Sequence, residues 1–176
     1  MADELERLIT DGMRACLGTT LPPIDLPEEI AASDVRRFLE AVGDTNPLYR
    51  DDKYARRFGY RSRPVPPMLV IQLYRRGEQF DGEEGGGSSA WPGLELPDGY
   101  TNTRNAGHEI EWVSPAYLGD RLTLQQKLVD MYVRQGRAGV PVIYLVREVE
   151  IRNQRGEVVV RQRSTTAKLP EGPSRE

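Results

Sequence analysis

Hydrophobic positions in the first half of the chain recur at helical spacing. Leu5, Leu8, Ile9, Met13 and Cys16 fall on one face, and Gly18 followed by Pro22 and Pro23 marks a stop. This pattern predicts a short amphipathic helix and an extended lead-in, together residues 1–27. Val35, Phe38, Leu39 and Val42 repeat the stripe. Ser33 is the candidate N-cap of that second helix, and Gly43 is the residue that ends it. Residues 51–58 predict a third short helix closed by Gly59, after which Pro64 and Pro66 hold their predecessors extended. Pro67 suits a first helical position. Met68, Leu69, Val70, Ile71, Leu73 and Tyr74 then leave little polar circumference, so this helix is expected inside the protein.

Beyond residue 107 the period changes to two. Residues 108–113, 121–133, 140–152 and 157–169 read as strands, with 153–156 as a hairpin turn. In the second of them Leu122, Leu124 and Leu128 share a parity that passes to Val129, Met131 and Val133, which predicts a bulge and strong curvature. Residues 81–105 carry Gly-Gly-Gly-Ser-Ser and two prolines and are expected to be a flexible excursion with no regular element. An apolar helix followed by long curved antiparallel strands predicts the α+β class. A sheet wrapped around a long central helix, the hot-dog fold, is the simplest arrangement; an open α+β sandwich has the same element order. Residues 28–169 are assigned to this single domain and 170–176 to a polar tail.

Charge and composition remove several functions. The 24 basic and 27 acidic residues give a net charge of -3, with no like-charged block to follow a phosphate backbone, so nucleic acid is not an expected partner. The single cysteine, Cys16, excludes an internal disulfide and reads as a buried thiol, in keeping with a reducing cytoplasm. The acidic, amphipathic N-terminus is not a basic leader, and no run of about 18 apolar residues occurs, so neither secretion nor a membrane is expected. His108 is the sole histidine, and without a Cys or His cluster beside it no metal site is expected. The adjacent carboxylates Asp51-Asp52 and Glu83-Glu84 read as solvated surface.

The most informative segment is Gly43-Asp44-Thr45-Asn46-Pro47-Leu48-Tyr49-Arg50-Asp51, followed by Tyr54-Ala55 and then by Val65-Pro66-Pro67-Met68-Leu69. It resembles the MaoC-like (R)-specific enoyl-CoA hydratases, whose signature runs G-D-x-N-P-x-H-x-D, then Y-A, then a His-Gly pair opening the central helix. The later Gly107-His108-Glu109-Ile110-Glu111-Trp112, with Pro115 and Gly119-Asp120-Arg121-Leu122, is similar to a second landmark of the N-terminal dehydratase branch of that family.

In that family an Asp and a His hold and activate water, and a backbone N–H at the start of the central helix stabilises the thioester enolate. Proton transfer favours a group titrating near working pH, and a developing oxyanion favours a fixed N–H at a helix N-terminus. Here Asp44 is kept, Tyr49 stands in place of the histidine, and Pro66-Pro67 replaces the His-Gly pair. A phenol is a poor base at neutral pH, and Pro67 has no N–H to donate. Asp44 also reads as an Asx turn after a helix-ending glycine, Tyr49 as a packing residue, and His108 as a structural or interface residue.

The resemblance thus implies a subunit without catalytic residues of its own, degenerate at Asp44, Tyr49 and Pro67, with Asn46, Tyr49, Pro66 and Met68 lining a substrate channel. Its substrate is an acyl thioester of coenzyme A or of acyl carrier protein, of fatty-acid or steroid side-chain type, and no cofactor is implied. The implied partner is a MaoC-like hydratase subunit that carries D-x-x-x-x-H, in a dimer or tetramer. A homodimeric acyl-CoA-binding or scaffold protein is the alternative. A hot-dog thioesterase is a weaker one, because residues 68–76 offer no carboxylate.

Overall fold

The computed structural model of the chain describes Leu5 and residues 7–78, 91–136 and 139–171, with backbone alone at 74–78. The elements run α1 (Asp11–Cys16), β1 (Ile24–Asp25), α2 (Ala32–Val42), a 3-10 turn (Pro47–Tyr49), α3 (Asp52–Arg57), α4 (Pro67–Glu78), β2 (Asn102–Trp112), β3 (Leu122–Gln135), β4 (Pro141–Asn153) and β5 (Val158–Leu169). The strands form one antiparallel sheet in the order β1-β3-β4-β5-β2. This is the hot-dog arrangement: a curved sheet with α4 packed on its inner face.

Local chemistry fixes most boundaries. Gly43 adopts the left-handed conformation, φ 67°, that ends α2. The Asp51 carboxylate caps α3 by accepting from the N–H groups of Lys53 at 2.7 Å and Tyr54 at 3.2 Å. Two starts differ from expectation. The first pattern is interrupted: Leu5 is helical, Leu8 and Ile9 lie in a turn and a bend, and α1 starts at Asp11, where the Thr10 hydroxyl accepts from Met13 N–H at 3.1 Å; Leu8 and Ile9 still pack against its core. The second begins at Ala32 rather than after Ser33, because the Asp34 carboxylate accepts from Ala31 N–H at 3.2 Å.

Two apolar clusters occupy the inner face of the sheet. One joins Val35 and Leu39 of α2, Leu69, Val70 and Ile71 of α4, and Leu122, Leu124, Val149, Ile151 and Val160 of the sheet. The other joins Met13 and Cys16 to Trp91, Leu94, Tyr100, Leu128, Met131, Ile143 and Leu145. Two sequence readings are corrected here and one, the extended lead-in, is sharpened. The expected excursion ends in structure: Trp91, Leu94 and Tyr100 are buried in an irregular but packed segment, and β2 starts at Asn102. Residues 81–90 lie outside the described residues. The lead-in contributes β1, with Ile24 opposite Leu124. Finally, the first turns of α4 bury Leu69, Val70 and Ile71 but leave Met68 50% exposed, because the sheet reaches one face of them.

The expected bulge is present. Leu128 pairs with Arg147 and Asp130 with Val146, leaving Val129 as the surplus residue. Strand β2 pairs with β5 on one side, and its other edge has no strand among the described residues. No described helix is long and apolar enough to cross a membrane, and no cluster of three or more potential metal ligands occurs among the described residues.

Candidate functional site

The motif segment folds as a chain of side-chain caps. After Gly43, the Asp44 carboxylate accepts from Asn46 N–H at 2.8 Å, and the Asn46 side-chain Oδ1 accepts from Leu48 N–H at 3.0 Å. The first contact is the Asx turn anticipated for Asp44. The second, with Pro47 at the first helical position, starts the 3-10 turn that carries Tyr49 toward the core. Arg50 closes the loop by donating from Nη2 to the Asp44 carbonyl at 2.7 Å.

Tyr49 meets Pro67 across a cavity of about 190 Å³, whose walls also include Leu48, Tyr60, Val70, Trp112 and Val113. The structure therefore brings together the two positions at which the motif departs from the hydratase signature. The remaining candidates lie elsewhere: Asn46 spends its carbonyl on a cap, Pro66 is buried, and Met68 faces outward. His108 lines neither this cavity nor the one beside it; its Nδ1 lies 2.8 Å from Gln162 Nε2 on the neighbouring strand.

Burial first, then the Asp44 carboxylate and the Tyr60 phenol, push the Tyr49 phenol above its ordinary range. At neutral pH it is an uncharged hydroxyl. The folded state keeps this proton longer than the unfolded chain does, so the resulting stability is complete below about pH 10 and is lost as pH rises through the folded value. In an alkaline titration followed by phenolate absorbance, Tyr49→Phe is expected to remove a late-ionising phenol. Loss of one ionising at or below the ordinary value would contradict that environment.

A second cavity, about 310 Å³, adjoins the first. Tyr49 belongs to both, and the walls of the second also include Arg36, Leu39, Arg50, Arg63 and Leu118. Sequence inspection missed this grouping, because its arginines come from α2, the motif loop and the segment before α4. It also missed Tyr60 and Trp112, although Trp112 closes the second sequence landmark. A wider trough of about 560 Å³ lies across the sheet where Glu109, Glu111, Glu148, Glu150, Arg161 and Arg163 gather. There Arg161 bridges Glu111 and Glu150 at 3.3 Å each, and Arg163 pairs with Glu148 at 2.8 Å. These ion pairs are largely exposed to water, so the trough is a solvated face rather than a reaction site.

Comparison with known proteins agrees with this architecture. The family model described as "FAS1-like, dehydratase domain region" matches residues 17–162. A UPF0336 protein of Streptomyces avermitilis is 29% identical over 145 residues, covering 82% of this chain and 86% of that protein. A probable enoyl-CoA hydratase alpha subunit of Thermomonospora curvata is 28% identical over 86% of this chain, which spans 49% of that longer protein. Among solved structures, a chain of the ChsH1-ChsH2 complex from Mycobacterium tuberculosis superposes with a TM-score of 0.72 at 17% identity, covering 98% of this chain and 99% of that one. With the motif segments folded around one cavity and the match spanning most of the sequence, the chain belongs to the FAS1-like dehydratase-region family, built on the MaoC-like hot-dog fold.

Proposed function

We propose that this chain is the non-catalytic, channel-lining subunit of a heteromeric hydratase or dehydratase that interconverts 2-enoyl and 3-hydroxyacyl thioesters. One observation carries the reading: the cavity walled by Tyr49 and Pro67, the positions that match the signature's histidine and oxyanion donor, contains no imidazole or carboxylate among its lining residues. A neutral phenol cannot take up the proton from water at physiological pH, and a proline at the head of α4 cannot donate to an enolate oxygen. The apolar walls remain suited to an acyl chain.

The missing groups are supplied by a MaoC-like partner carrying D-x-x-x-x-H. Two features of the fold favour a partner. β2 presents backbone N–H and C=O groups along an edge that no strand covers among the described residues, and Trp112 and Val113 at its end are 42% and 41% exposed. A 1:1 pair through that edge, or a tetramer of two such pairs, is the assembly proposed. One relative bearing the words "alpha subunit" and two neighbours solved as two-component complexes support it by analogy.

The test is complementation. Alone, the purified chain is expected not to hydrate crotonyl-CoA above background. Co-expressed with a catalytic MaoC-like protein from the same genome it should purify as a complex whose turnover vanishes when the partner's Asp or His is replaced. Asp44→Ala and Tyr49→Phe in this chain should change that turnover by less than about tenfold, well short of the roughly 100-fold or more that a lost acid-base group costs. Robust turnover by the isolated chain, abolished by Asp44→Ala, would reverse the assignment.

A further inference from the structure

We propose that the cavity between Arg36, Arg50 and Arg63 is a phosphate site that holds the phosphorylated arm of the thioester carrier. The inference rests on the reading of this chain as a thioester-channel subunit. It gives that channel its anionic end.

Three observations carry it. First, the cavity of about 310 Å³ collects three guanidinium-bearing residues and no acidic residue among those that line it, in a chain whose net charge is -3. General basicity does not explain the cluster. Second, the charges of Arg50 and Arg63 are uncompensated. Arg50 Nη2 donates to the Asp44 carbonyl at 2.7 Å and Arg63 Nη1 to the Arg50 carbonyl at 3.4 Å, both neutral acceptors, and neither forms an ion pair among the described residues. Nearby carboxylates are otherwise engaged: Asp44 accepts from Asn46 N–H, Asp52 from Arg63 N–H at 2.8 Å, and Glu40 stands 3.9 Å from Arg36 in an exposed pair. A guanidinium anchored through one nitrogen keeps its remaining N–H groups for an oxyanion, and forked donation suits phosphate.

Third, Tyr49 is a wall common to this basic cavity and the apolar one. A ligand with an apolar end and an anionic end meets both surfaces at once. An acyl thioester of a phosphopantetheine arm has that polarity, whether the arm belongs to coenzyme A or to acyl carrier protein. Leu39 and Leu118 give the basic cavity an apolar floor beneath guanidinium groups that stay open to solvent and to an incoming anion.

Titration of the full chain with 4′-phosphopantetheine and with pantetheine, followed by NMR shifts of the arginine Nε–H groups, tests the site. The phosphorylated compound is expected to bind at least about tenfold tighter, as one charge-assisted contact to phosphate implies. Arg50→Gln with Arg63→Gln should erase that preference and leave pantetheine binding unchanged. Arg36→Gln, whose only described ion pair is with exposed Glu40, gives a second variant that does not disturb the fold and should weaken the preference. Parallel titrations with coenzyme A and with holo- and apo-acyl carrier protein identify the source: tighter binding of coenzyme A, or of the holo over the apo carrier, names it. Equal affinity for pantetheine and its phosphate, or a preference that survives all three substitutions, overturns the proposal. The titration requires neither turnover nor partner. Failed complementation with retained phosphate preference therefore removes the subunit reading alone, and the converse result removes this site alone.

Discussion

Tyr49→His in the isolated chain is expected to leave enoyl-CoA hydration at least about 100-fold below that of a MaoC-like hydratase with an intact signature. The substitution restores an imidazole at the wall of the apolar cavity, but Pro67 still heads α4 opposite it. Loss of one oxyanion donor costs roughly 100- to 1,000-fold in turnover. Because base and donor act in one transition state, supplying the first without the second recovers little. Steady-state hydration of crotonyl-CoA by wild type and variant, with the fold checked by circular dichroism, decides the matter. A variant matching the intact enzyme would mean that the oxyanion is held by some group other than the amide at position 67.

Asp120→Ala is expected to cost about 3 kcal/mol of stability, a drop in Tm of about 6–12 °C for a chain of this size. Asp120 belongs to the second sequence landmark and is 1% exposed. Its Oδ2 accepts from Tyr117 N–H at 2.8 Å, while Oδ1 accepts from Gln154 Nε2 at 3.2 Å, Arg61 Nη2 at 3.3 Å and Arg155 Nη1 at 3.4 Å. Arg61 also stacks 3.9 Å over the Tyr117 ring. Alanine leaves a buried N–H without an acceptor and frees two half-exposed guanidinium groups to water, so the cost is that of the orphaned donors rather than of a fully buried ion pair. Asp120→Asn, which keeps one acceptor, should lose about half as much. Urea and thermal unfolding measure both, and a loss under about 1 kcal/mol for alanine would contradict this account.

The parts of the fold that were legible in the sequence are those dictated by local backbone chemistry or by strict parity. Gly43 and Gly59 lie at the ends of α2 and α3 because their left-handed φ values, 67° and 86°, are natural to glycine. The parity change after Leu128 marked the bulge because one face of β3 must stay apolar. The break before α1 and the start of α2 were misread because the Thr10 hydroxyl and the Asp34 carboxylate are competing cap acceptors of ordinary appearance. β2 was read six residues short because Asn102 to Gly107 is mostly exposed and carries no apolar alternation. The burial of Trp91, Leu94 and Tyr100 depends on contacts with α1 and β3, far away in sequence. At the site, the positions of Tyr49 and Pro67 were legible through family resemblance. The basic cavity was not, since Arg36, Arg50 and Arg63 have no common spacing and meet only when α2, the motif loop and the segment before α4 pack together.

The bulge in β3 also marks where the length of this strand is negotiable over evolutionary time. Leu128 already faces Arg147 and Asp130 already faces Val146, so loss of the codon for Val129 joins two flanks that keep their partners and their faces. The deletion removes local curvature but no pairing. Loss of Gln125, itself exposed, has a different outcome. If the bulge is consumed to restore the ladder, Leu128 turns outward and Lys127 turns into the place of Gln126, which is 3% exposed. The variant lacking Val129 is therefore expected to fold with a lowered Tm, and the variant lacking Gln125 to be recovered unfolded or aggregated. Natural length variants of β3 should then be tolerated around position 129 and selected against a turn of the pleat away.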